Sequence, residues 1–165
     1  MKRAMVSAGG ALLLVMGVAV AADEPELKEG LWSVHTQATT NPGGKKAVSN
    51  YTICRNHAFD QTIRLRAKAQ KSCTMVTEIV SAGKYSSKSH CAVGGTTIDT
   101  TGTTTYQGDT ATHSESHGVY TPAMPDIGDV TMVMDQKYIG SCPAKLHPGD
   151  RTNSDGSVVH LGQTK

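Results

Sequence analysis

Turn-forming residues divide most of this chain into short segments of alternating polarity, and this pattern restricts the fold more than any other feature. Clusters of glycine, proline, asparagine or aspartate recur at a spacing of about 8–12 residues, which is typical of antiparallel β proteins. Between the clusters, polar and apolar residues alternate with the two-residue period of a half-buried strand. The segment 32–38 shows the period most clearly, because polar Ser33 and His35 separate Trp32 from the next apolar positions.

The pattern predicts seven strands and one short helix. The predicted strands are residues 32–38, 47–54, 73–80, 84–93, 96–106, 110–121 and 129–139, and the predicted helix is residues 56–71. Residues 122–128 are expected to form a loop. Because most successive strands are separated by only a short turn, the sequence predicts an all-β antiparallel meander that forms a small barrel or a strongly curved sheet.

The first 22 residues have the order of a secretory signal peptide. Lys2 and Arg3 precede an apolar run at residues 11–20, and Ala19-Val20-Ala21 fits a cleavage site. The run is shorter than the roughly 20 apolar residues that span a bilayer. We therefore expect a signal peptide at residues 1–22, a single β domain at 23–142 and a periplasmic or secreted protein. Residues 143–165 are rich in proline, glycine and aspartate and are expected to form a mobile tail.

Four cysteines lie beyond the predicted signal peptide, and an even number in an exported chain predicts two disulfide bonds. They are Cys54, Cys73, Cys91 and Cys142. Spacing leaves three pairings open. We favour Cys54–Cys73, which would close the helical excursion, with Cys91–Cys142, which would join an early strand to the end of the last. The chain has no C-x-x-C pair, so a zinc or redox role for the cysteines is disfavoured.

The charge balance argues against two classes of partner. The full chain has 16 Lys and Arg against 14 Asp and Glu, and the predicted signal peptide contains two of the basic residues and none of the acids. The exported chain then has no net charge, which gives no general attraction to nucleic acid or to anionic lipid. We expect no nucleic-acid partner and no transmembrane segment after signal cleavage.

Histidines and methionines supply the candidate metal ligands. On a strand, His113, Glu115 and His117 would share one face, with the histidine Cα atoms about 13 Å apart. One ion needs donors at about 2 Å, so a neighbouring strand would have to contribute. Met132 and Met134 would share a face of another strand, and paired thioethers bind copper(I). The simpler interpretation is a solvated polar face for the first group and core packing for the second.

Several motifs occur in an order that is specific when taken together. Gly30-Leu31-Trp32 opens the first strand, and Tyr106-Gln107-Gly108-Asp109 ends a threonine-rich one. The four cysteines follow in order, and the last of them lies close behind Gly140. Over residues 30–142 this order resembles a bacterial envelope family known as domain of unknown function 3617. The resemblance implies an exported envelope protein of this fold and brings no established activity.

Motifs for catalysis are missing from the sequence. It contains no G-x-S-x-G, no H-E-x-x-H and no glycine-rich phosphate loop, so we predict a non-enzyme without a cofactor. The leading interpretation is an exported binding or interaction module of the bacterial cell envelope that holds a small apolar ligand. The alternatives are a periplasmic copper- or zinc-binding protein and a purely structural envelope partner protein. The expected partner is thus an unidentified small ligand or an envelope protein.

Overall fold

Residues 24–161 are described by a computed structural model, and the predicted signal peptide at residues 1–22 lies outside the described residues. The elements, in chain order, are β1 (Gly30–Pro42), β2 (Lys46–Arg55), α1 (His57–Ala69), β3 (Cys73–Ser81), β4 (Lys84–Val93), β5 (Thr96–Gln107), β6 (Ala111–Met124), β7 (Ile127–Gly140), β8 (Asp150–Asn153) and β9 (Val158–His160). The predicted class, an antiparallel β protein with one short helix and two disulfides, is confirmed.

All nine strands belong to one sheet, in the order β3-β4-β5-β6-β7-β1-β2-β8-β9. The sheet is open, with β3 and β9 at its two ends, so the strongly curved sheet is the correct form of the two that we predicted. The order departs from a simple meander because the β1–β2 hairpin lies between β7 and β8. On β1, Leu31 is the register partner of Cys54 on β2 and of Gly140 on β7. Both neighbouring strands therefore end beside the start of β1.

The turn between β6 and β7 is tighter than predicted. Residues 122–128 were expected to form a loop, whereas Met124 and Ile127 are register partners and only two residues separate the strands. Asp126 has a φ of 63°, which closes the turn. A register shift between Val119 and Met124 accommodates the extra length of β6. This irregularity interrupts the alternation of polar and apolar residues, so the sequence pattern predicted a loop in place of a strand.

The helix is confirmed, and its ends follow from local chemistry. The Asn56 side chain accepts a hydrogen bond of 2.8 Å from the Phe59 N–H, which caps the first turn. Asp60 lies in the first turn, and the basic Lys68 lies in the last turn, so both complement the helix dipole. The helix ends at Ala69, and its Phe59 packs against the sheet face that carries Trp32 and Val34, which we call the inner face.

The segment after Cys142 contains two paired strands, which corrects the prediction of a mobile tail. Within it, β8 pairs with β2 and β9 pairs with β8. The Gly149 N–H donates to the Cys54 carbonyl at 2.7 Å, and Asp150 is buried. The edge of β2 carries backbone groups that need partners, and the short strand satisfies them. The prediction considered only the low apolar content of this segment, which says nothing about backbone pairing.

The predicted disulfide pairing is wrong. The bonds are Cys54–Cys142 and Cys73–Cys91, with Cα–Cα distances of 5.6 and 4.0 Å. Cys73 and Cys91 are register partners in the β3–β4 hairpin. Cys54 meets Cys142 because the ends of β2 and β7 are both held beside Leu31 of β1. Insertion of β1 between these strands, which local patterns do not show, decides the second bond.

The hydrophobic core lies between α1 and the inner face of β1 and β2. Its buried residues are Leu27, Trp32, Val34 and Ile53, and the side chains packed against them include Tyr51, Phe59 and Tyr138. The Trp32 indole N–H donates to the Lys28 carbonyl at 2.8 Å, which satisfies its one polar group. The alternation along residues 32–38 therefore correctly predicts that Trp32 and Val34 are buried on the inner face. They are 0% and 2% exposed.

Candidate functional site

A cavity of about 350 Å³ lies between α1 and the inner face of the sheet. Its size falls within the roughly 300–1,000 Å³ of small-molecule sites. The apolar part of its wall includes Leu27, Val34, Tyr51, Ile53, Phe59 and Ile63. The polar part includes Arg55, Asp60, Thr104, Thr112, Ser114 and Gln136. Strands as far apart in the sheet as β2 and β5 reach this one cavity because the sheet is strongly curved.

A single row of side chains crosses the sheet along the cavity wall. The row runs over five strands through successive register partners, which are Tyr106, Thr112, Gln136, Val34 and Tyr51. Directly opposed residues have Cβ atoms about 4.5–5.5 Å apart, so each member contacts the next. The three members on β5, β6 and β7 carry hydrogen-bonding groups, and Val34 begins the apolar part. We call these five residues the cavity row.

Thr112 is the member of the cavity row with an unmet hydrogen-bonding demand. Its side chain is 5% exposed, and its Oγ1 has no hydrogen-bond partner among residues 24–161. A buried hydroxyl without a partner costs about 1–3 kcal/mol. Its neighbour Ser114 on the same strand shares a hydrogen bond of 3.0 Å with Thr104. Thr112 lines the cavity, so a group bound there is a candidate partner for its hydroxyl.

An ion pair forms the polar corner of the cavity. Arg55 Nε lies 3.0 Å from Asp60 Oδ1, and the two side chains are only 16% and 10% exposed. The Nη1 of Arg55 donates to Gln136 Oε1 at 2.8 Å. Because arginine can only donate, the oxygen of the Gln136 amide faces Arg55 and its nitrogen is free to donate in another direction. The pair thus orients one member of the cavity row.

Tyr106 ends the cavity row as a hydrogen-bond donor. Burial, followed by the nearby Glu24 carboxylate, raises the pKa of the Tyr106 phenol well above its usual range. The Arg64 guanidinium acts in the opposite direction and has a smaller effect. The phenol is therefore protonated at any physiological pH. Its ring packs edge-to-face on Tyr85, with centroids 5.3 Å apart, which fixes its orientation.

The predicted histidine ligands lie on the opposite face of the sheet from the cavity. His113 Nδ1 lies 2.7 Å from Asp135 Oδ1, and His117 Nε2 lies 3.1 Å from Asp129 Oδ1. Glu115 lies 3.4 Å from His113 Nε2 and has 64% of its side chain exposed. The hydrogen bond to Asp135 and then that to Glu115 raise the pKa of His113. The contacts with Asp135 and Asp129 join β6 to β7, and the contact with Glu115 lies within β6.

The structure does not bring the predicted histidine and methionine ligands together. Met132 and Met134 are register partners of Ser116 and Ser114, which alternate with the histidines along β6. The methionines thus lie on the inner face, where Met134 packs against the core. No group of three or more His, Cys, Asp or Glu side chains in the described part of the chain is arranged to hold a metal ion. The four cysteines are consumed by the disulfides.

Sequence reasoning missed the cavity residues, although part of the signal was present. Thr112 lies on the strand face opposite His113, so its inward direction follows once the histidines are placed outside. Ala111 and Val119 share the parity of the histidines and obscured that assignment. The Arg55–Asp60 pair spans the junction of a strand and a helix, where neither period applies. No pattern within β7 alone indicated that Gln136 would meet Val34.

The fold and the cavity define a class of protein, namely a disulfide-linked open β-sheet protein with a partly open cavity between its helix and its sheet. A family model described as "Protein of unknown function (DUF3617)" matches residues 27–142. The chain belongs to this family, so the resemblance noted from the sequence is confirmed. The match ends at Cys142, which places β8 and β9 outside it. A comparison with curated proteins found no match.

Within residues 24–161, no helix has the length and apolar character needed to cross a membrane. The two disulfides are compatible with an exported protein, because such bonds persist in oxidising compartments.

Proposed function

We propose that this protein is a non-enzymatic binding module of the bacterial cell envelope that holds a small ligand in the cavity under α1. The observation that carries the proposal is a cavity of ligand size whose wall includes Thr112, a residue whose buried hydroxyl has no partner among the described residues. A periplasmic location belongs to the proposal and rests on the two disulfides and the signal-like residues 1–22.

The charged groups of the cavity support binding by a rigid site. Arg55 and Asp60 bond each other, and Arg55 also bonds Gln136, so these side chains are committed to holding α1 against the sheet. The Arg55 guanidinium also stacks on Trp32, with 5.4 Å between its carbon and the ring centroid. A site that is ordered before the ligand arrives loses less entropy on binding.

Native mass spectrometry of the protein purified from its own cell envelope tests the proposal. We expect a retained organic molecule in stoichiometric amount. Ile63→Trp should lower its occupancy, because Ile63 lines the cavity and the larger indole would fill it. Leu65→Trp is the matched control, since Leu65 lies on the same helix, is 59% exposed and does not line the cavity.

Three results would count against the proposal. Protein that carries no organic mass and binds no added amphiphile would contradict it. Equal loss of the ligand from Ile63→Trp and Leu65→Trp would show that the ligand lies elsewhere. A retained copper or zinc ion in place of an organic molecule would favour the metal-binding alternative raised by the sequence.

A further inference from the structure

Resting on the proposed function, we infer that the ligand is a small uncharged amphiphile whose hydrogen-bond-accepting oxygen lies at Thr112 and Gln136 and whose apolar body lies between Val34 and Phe59. An alcohol or an ester carbonyl fits this description, whereas a carboxylate or an ammonium group does not. Polarity, apolar burial and charge at the cavity each support one part of the inference.

The polar end follows from the cavity row. Thr112 and Gln136 are register partners on β6 and β7, so one ligand atom can reach both side chains. The Thr112 hydroxyl has no partner among the described residues, and the Gln136 amide nitrogen is left to donate because its oxygen faces Arg55. The Tyr106 phenol, on the other side of Thr112, already donates to the Glu24 carboxylate. The Thr112 hydroxyl and the Gln136 amide nitrogen therefore favour a hydrogen-bond acceptor on the ligand.

The apolar end follows from the other half of the cavity wall. Val34 is 2% exposed and Leu27 is 5% exposed, and Phe59 packs against the core cluster that contains them. Tyr51 and Ile53 continue this apolar wall on β2. A hydrocarbon segment bound here would bury apolar area at roughly 25 cal/mol per Å². The ligand therefore needs a chain or ring beside its polar group.

The absence of net charge follows from the ionic groups that line the cavity. They are Glu24, Arg55, Asp60 and Arg64, two of each sign, and Arg55 and Asp60 already bond each other at 3.0 Å. A charged ligand would lose its hydration and meet no surplus of opposite charge. An uncharged polar group loses less and regains a hydrogen bond from Thr112.

Isothermal titration with three probes of equal chain length tests this inference. The probes are 1-decanol, kept below its solubility limit, and decanoate and decylammonium, each kept below its micelle-forming concentration. We expect 1-decanol to bind at least tenfold more tightly than either ion. Thr112→Val should weaken 1-decanol about tenfold, which corresponds to about 1.4 kcal/mol, because it removes the hydroxyl and keeps the shape. Thr40→Val is the matched control, since Thr40 Oγ1 is also buried without a partner and does not line the cavity.

A second readout separates binding from folding. Without ligand, Thr112→Val should leave the unfolding temperature unchanged or raise it, because it removes a buried hydroxyl that has no partner. Weaker decanol binding by a variant of equal or higher stability cannot be ascribed to misfolding. A Thr112→Val variant that binds 1-decanol as tightly as the wild type would overturn the placement of the polar group.

The remaining outcomes distinguish this inference from the proposed function. Decanoate binding as tight as that of 1-decanol would overturn the uncharged ligand and leave the binding module standing. If no probe binds while the native protein retains an organic molecule, the uncharged amphiphile is likewise overturned and the binding module stands. If no probe binds and no organic molecule is retained, both the inference and the proposed function fail.

Discussion

Arg55 Nε lies 3.0 Å from Asp60 Oδ1, and this ion pair joins the last residue of β2 to the first turn of α1. The strand ends and the helix begins between these two residues. Asn56 caps the helix at the same place, so the start of α1 is fixed by its own cap and by a charge contact with the strand. The position of the helix over the cavity therefore depends on residues 55–60.

Asp60→Asn should destabilise the fold by about 3 kcal/mol, because it leaves Arg55 nearly buried without an opposite charge. Urea unfolding of the variant measures the loss. Replacing both partners, as in Arg55→Met with Asp60→Leu, should recover most of the stability because no unpaired charge remains. A loss below 1 kcal/mol for Asp60→Asn would contradict a structural role for the pair.

Removing the two disulfides separately should have unequal effects. The sequence separations are 88 residues for Cys54–Cys142 and 18 for Cys73–Cys91. Loop-closure entropy then predicts losses of about 4.5 and about 3 kcal/mol for the respective double serine variants. Urea unfolding under non-reducing conditions compares them.

The single variant Cys54→Ser tests the pairing itself. It should free one thiol, and peptide mapping after alkylation in denaturant should locate that thiol at Cys142. Labelling at Cys73 would show that the pairing observed in the structure is not the one formed. Cys91→Ser is the complementary case, with Cys73 as the expected free thiol.

Gly30→Ala should be more damaging than the same change at Gly140. Both glycines have positive φ values, 139° and 144°, so each substitution incurs backbone strain. A Cβ at Gly30 would also overlap the Gly140 carbonyl oxygen and lie 2.7 Å from Tyr138 Cε2, whereas a Cβ at Gly140 meets nothing within 4 Å. We expect an additional loss of about 1–3 kcal/mol at Gly30. Equal unfolding midpoints for the two variants would refute the close approach.

The pH titration of His113 should reveal its two carboxylate partners. Its pKa is raised above the ordinary value of 6.5, chiefly by Asp135 and then by Glu115. Folding therefore favours the protonated ring, and this contribution is complete below pH 6.5 and is lost as the pH rises through the folded-state pKa. Asp135→Asn should lower the His113 pKa more than Glu115→Gln does. Proton NMR of the ring follows both variants, and an unchanged pKa in Asp135→Asn would contradict the contact.

Local periodicity predicted most of the strands and the helix, but the pairings over long sequence distances needed the structure. The Cys73–Cys91 bond had a local signal, because the two cysteines are nearly equidistant from the turn at Gly83. The Cys54–Cys142 bond had none, since it depends on the position of β1 between β2 and β7. The same insertion brings Val34 beside Gln136 and creates the cavity row. Composition alone also failed for β8, which pairs through its backbone.

The position of β1 in the sheet sets the order in which the chain can fold. During synthesis from the amino terminus, β1 and β2 are complete long before β7 exists, and they can form only a two-stranded hairpin, which is marginally stable in water. One edge of β1 then has unpaired backbone groups, and Trp32 lacks its edge-to-face contact with Tyr138. The core closes only when residues 127–140 arrive. The hairpin of β1 and β2 therefore waits for β7 before its core can close, and this distant strand pairing slows folding.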